Sequence, residues 1–158
     1  ELGLAAERLI LIETTQSLAA LRAAREVLGC SSAAAMVMET RGKVPALDLT
    51  ATRRLHLAAM RSGVLAISLR LSAEICPSAA LTRWQVMAAP SRPLPALAPG
   101  PARLVLSLQR HRGGVADFEM AADWDPEVRG FVAADRRTTP LPVSQHNRRA
   151  PSLSIQAA

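Results

Sequence analysis

The chain has 158 residues, one ordinary domain, and its 49% hydrophobic content is enough for a single buried core. Its net charge of +6 comes from 18 arginines against one lysine, Lys43. No apolar run approaches the roughly 18 residues that span a bilayer, and no charged segment leads into an apolar one at the start, so neither a membrane protein nor a secreted one is expected.

In chain order, Arg8–Glu13 is a short, nearly continuous apolar run of the kind that a strand covered on both faces requires. After Thr14 and Thr15, either of which can cap, Leu18, Leu21 and Leu28 fall on one helical face, and Gly29 sits where a C-terminal cap favours positive φ. Ala33–Met38 is a second buried-strand run. A helix from about Asp48 to Ser62, closed by Gly63, turns Ala51, Leu55, Ala58, Ala59 and Ser62 to one side, small enough to lie close to a sheet. Val64–Leu69 is the third strand. This alternation of fully apolar strands with one-sided helices marks βαβ units, and right-handed crossovers make the three strands parallel neighbours.

The second half changes character. Arg83–Met87, Leu104–Arg110 and Asp117–Met120 alternate apolar and polar with no helix between them, as antiparallel strands at a sheet edge do. Between the first two lies Pro90–Pro101, too rich in proline for a strand or helix and expected as an extended, polyproline-like excursion. His111–Gly114 is a turn. From residue 124 onward periodicity fades, and four isolated apolar residues, Leu141, Val143, Leu153 and Ile155, are too few to order the segment. The expectation is therefore an ordered domain over 1–123 and a disordered, arginine- and proline-containing tail over 124–158.

The order β-α-β-α-β followed by antiparallel strands, with the stretch Leu47–Gly63, resembles the ImuA family, a degenerate relative of RecA. Pro77–Trp84 and Leu104–Gly114, the latter ending Arg110-His111-Arg112-Gly113-Gly114, are similar to the later strands of that family. The resemblance covers about residues 2 to 122 and implies the C-terminal part of a RecA-like, three-layer α/β domain with a mixed sheet. Because Glu1 replaces a starting methionine and the apolar pattern begins almost at once, an N-terminally truncated family member is expected. The resemblance further implies a cytoplasmic accessory protein of the SOS response to DNA damage, acting in mutagenic translesion synthesis and repair. Its partners would be an ImuB-type, Y-family polymerase homologue and an error-prone replicative-type polymerase, with RecA itself a further possibility. Fold alone does not separate this from two alternatives, a fragment of an active RecA-like ATPase and a SulA-like inhibitor of cell division.

Chemistry is sparse. A nucleotide hydrolase of this class needs a glycine-rich loop with a lysine and a following hydroxyl, whereas Lys43 sits in Arg41-Gly42-Lys43-Val44, without the upstream glycine or the hydroxyl. No enzyme activity and no cofactor are expected. Glu13 and Glu39 each end a predicted strand, where α/β sheets bind ligands, and by resemblance to RecA Glu39 stands where an acid would hold a magnesium-bound water. They are kept as the vestige of a nucleotide or metal site. Cys30 and Cys76 form no CxxC pair and have no histidine at ligand spacing, which supports no zinc site and fits a reducing compartment. His56, His111 and His146 show no nucleophile–base order. The arginines are scattered and read first as solvated surface. Those left as candidates for partner or DNA contact are Arg41, Lys43, Arg53, Arg54 and Arg61, with Arg136, Arg137, Arg148 and Arg149 in the tail. Single-strand DNA grooves combine charge with stacking rings, and only Trp84, Trp124, Phe118 and Phe131 are available.

Overall fold

The computed structural model describes residues 4–114, 117–134 and 153–157. Helix α1 (Ser17–Leu28), strand β1 (Ala35–Arg41), helix α2 (Leu49–Ser62) and strand β2 (Leu65–Leu71) come first, followed by β3 (Thr82–Ala89), β4 (Arg103–His111), β5 (Phe118–Asp125), β6 (Gly130–Ala133) and β7 (Leu153–Ala157). All seven strands form one sheet in the order β1-β2-β7-β3-β4-β5-β6. Only β1 and β2 pair in parallel, and every other neighbour is antiparallel. The chain is thus α/β with a mixed, open sheet, its parallel pair preceding the antiparallel strands.

Both helices cover one face. Ala24 and Leu28 of α1 and Leu55 and Ala59 of α2 share a core with Met36 and Met38 of β1, Ala66 of β2, and Leu47 and Val64 of the connections. Strand alternation sends Met36 and Met38 to this side and Val37 to the other, where it is 57% exposed. The described residues therefore build two layers where three were expected, because every helix among them lies on the same side of the sheet.

Three further expectations are corrected. The run Arg8–Glu13 is not a strand: Ala6–Arg8 forms a 3-10 turn, and Leu9, Ile10, Leu11 and Ile12 are 56–87% exposed. With no second segment beside it among the described residues, four consecutive apolar residues have there neither a ladder partner nor a covering layer. Gly29 keeps a right-handed conformation at φ −86°, since its N–H closes onto Arg25 and Glu26 carbonyls and Cys30 N–H continues the turn onto Val27. Gly63, in contrast, is left-handed at φ 76° with its N–H on the Ala59 carbonyl, as a helix-ending glycine is.

The tail expected over 124–158 is corrected at 124–134 and 153–157, the parts of it that are described. β5 runs on to Asp125, whose Oδ1 accepts from the N–H groups of Glu127 and Val128 in a tight turn, and β6 returns so that Phe131 meets Trp124 edge-on at 5.2 Å. β7 is central rather than peripheral. Ile155 stands between Leu69 and Trp84, and Gln156 between Ser68 and Arg83 on the other face. Two flanking ladders supply what the few apolar residues of this segment lack, and Gln156 is buried.

Candidate functional site

Helix α2 is held at both ends and along one side. Asp48 caps it, accepting from Ala51 N–H at 2.7 Å, and Gly63 closes it. Thr52 Oγ1 donates to the carbonyl of Asp48 or Leu49 and accepts from the N–H of Ala79, which ties the 72–81 loop to the helix. Leu55 and Ala59 face the core. The opposite side carries Leu49, Leu57 and Met60, 49–65% exposed, among Arg53, Arg54 and Arg61, which are exposed as well. At 3.6 residues per turn these six side chains share the outward half of the helix.

No acidic residue lies on α2, and among the described residues none of its three arginines is in an ion pair. Arg41 ends β1 and Lys43 follows it in the connection that leads into α2, both exposed, so the same end of the layer gains two more cations. The result is a basic surface with apolar side chains set into it. Phosphate backbones would engage the guanidinium groups but leave Leu49, Leu57 and Met60 without contact, and no aromatic ring stands among them for a base to stack on. An acidic, partly apolar protein surface matches both components.

The two acids singled out from the sequence are not at the ends of parallel strands. Glu13 lies in the exposed segment before α1, outside the sheet. Glu39 is inside β1, opposite Leu69 in the register, on the exposed side of the strand that faces away from the helices. At the N-terminus of α2, the usual place for an anion, the Ala51 N–H is already bonded to the carboxylate of Asp48. Among the described residues no group of three or more His, Cys, Asp or Glu is arranged to hold a metal. Arg136, Arg137, Arg148 and Arg149 lie outside the described residues.

Three arginines that the sequence did not single out sit on the helix-covered face. The register places Arg83 opposite Arg110, and both donate to Ser78 Oγ at 3.3 Å. Arg83 also donates to the Cys76 carbonyl, and Arg110 to the carbonyls of Ser78 and Ala80. Arg70 contributes a contact from its Nη1 to Cys76 Sγ at 2.7 Å. Burial, and after it the positive charges of Arg110 and Arg70, hold the Arg83 guanidinium below the usual arginine value, while Cys76 acts the other way. These side chains pin the 72–81 loop, and through Ala79 and Thr52 the loop fixes α2.

Further along the same face of the sheet, Asp123 bridges Arg103 at 2.7 Å and Arg92 at 3.5 Å, so the proline-rich loop is clamped to β4 and β5 beside a 240 Å³ cleft. No helix among the described residues is long and apolar enough to cross a membrane. Compared with family models, curated proteins and solved structures, the chain finds no match.

Proposed function

We propose that this chain is a non-catalytic accessory protein of the ImuA type. It acts in DNA-damage-induced mutagenic translesion synthesis by contacting an ImuB-type polymerase homologue and an error-prone replicative-type polymerase. The observation that carries this reading is the outward side of α2, where three arginines without acidic partners surround Leu49, Leu57 and Met60. Such a surface gains more from a protein partner, which can bury the apolar atoms and answer the charge, than from nucleic acid. The parallel pair followed by antiparallel strands is compatible with the RecA-like order that the resemblance implies. Asp48, by filling the N-terminal position of α2, argues for a binding role over phosphate chemistry at that helix.

The test is capture of the polymerase homologue by the chain carrying Leu57→Asp and Met60→Asp. Both residues are exposed, so the circular dichroism spectrum should stay unchanged while capture is lost. Full capture by the double variant would refute the role of α2.

A further inference from the structure

Two unsatisfied features of this molecule are complementary to each other. Strand β1 is an edge of the sheet, paired with β2 alone, and its outer backbone groups have no partner among the described residues. Such an edge is a template for strand addition. Its first half is apolar on both sides: Val37 is exposed on one, with Glu39 and Arg41 further along that face, and Met36 and Met38 on the other lead into the core below α1. A short strand added beside residues 36–38 meets apolar side chains on both sides.

Leu9–Ile12 has that character. It is four apolar residues in succession, all exposed, and among the described residues no backbone bond reaches Ile10, Leu11 or Ile12. As a strand it would turn Leu9 and Leu11 to one face and Ile10 and Ile12 to the other, one pair against Val37 and the other toward Met36 and Met38. In this structure the run does not lie on the β1 edge of its own chain, so every molecule presents a donor strand and an acceptor edge together.

We propose that two copies of this chain exchange these segments, the Leu9–Ile12 run of each adding as a strand to β1 of the other. The arrangement is self-complementary, so a single two-fold axis satisfies both donors and both acceptors and the assembly closes at two. A buried Leu or Ile carries on the order of 100 Å² of apolar side-chain surface. Counting both strands and both receiving edges, the exchange covers about 1,000 Å², the least that a specific protein interface needs. The ladder hydrogen bonds come in addition.

Light scattering coupled to size exclusion, run on the whole chain across a dilution series, measures the outcome. The expected mass is twice the 16.8 kDa of the chain, falling to a single chain on dilution. Leu11→Pro, which removes a ladder donor at an exposed position, should halve the mass, and Val37→Asp on the acceptor edge should do the same. Val128→Asp, an equally exposed apolar position in the β5–β6 turn, should leave it unchanged. A single-chain mass for the unaltered protein, open-ended oligomers, or a dimer that survives Leu11→Pro would each overturn the exchange. Amide exchange on the unaltered protein adds a second check, since residues 10–12 should be protected at high concentration only.

Discussion

At the scale of single residues, the most informative positions are arginines that an alternating pattern hides. Arg83 and Arg110 fall on the polar positions of β3 and β4, which in isolation look like solvated faces. They are instead turned toward the 72–81 loop and donate to its carbonyls, so their charge is met by peptide dipoles rather than by carboxylates. Alternation alone does not reveal this, because the 72–81 loop folds back over the strand it leads into and meets Arg110 from 30–32 residues away. Arg83→Ala removes the donor to the Cys76 carbonyl and one of the two donors to Ser78 Oγ, which keeps Arg110, a loss of about 1–3 kcal/mol. The expected outcome is a fall in Tm of several degrees, measured by calorimetry, with Arg83→Lys restoring little because it cannot reach both acceptors. An unchanged Tm for Arg83→Ala would mean that the loop is held by other contacts.

At the scale of elements, α2 and β2 were legible from the chain and β7 was not. Asp48, the small residues of the buried stripe and Gly63 bound the helix within a residue, because capping and helix closure are local effects. Asp48→Ala should cost about 1 kcal/mol of stability, read as a reduced denaturation midpoint at constant slope. The first predicted strand, and the disorder expected at 124–134 and 153–157, both failed for one reason. Whether a short apolar or alternating segment becomes a strand depends on an available neighbour, and neighbours are set by the whole sheet. Leu9–Ile12 finds none among the described residues, whereas Leu153–Ala157 finds two. Ending the chain before Leu153 removes both of these ladders from the middle of the sheet. Thermal unfolding of that shortened chain should move down by about 10 °C or more, or lose its cooperativity; a transition like that of the whole chain would contradict the central position of β7.

At the scale of the whole molecule, the layout is lopsided. Helices cover one half of one face, a basic and apolar helix looks outward from it, and the parallel end of the sheet stops at an open edge. Of the candidate site, the sequence named Arg53, Arg54 and Arg61, which are exposed, but the apolar side chains between them take on meaning only once Leu55 and Ala59 define the inward side. Glu13 and Glu39 looked like strand-end acids because both were placed on strands that either do not form or extend further. In the proposed function, the outward side of α2 binds an acidic protein partner. Titration calorimetry of the ImuB-type polymerase homologue against the chain and its Arg53→Glu, Arg54→Glu, Arg61→Glu variant tests it most directly. Charge reversal should weaken Kd by at least about tenfold, and added salt should weaken binding of the unaltered chain more than that of the variant. Equal affinities for the two chains, or no heat with either, would contradict it.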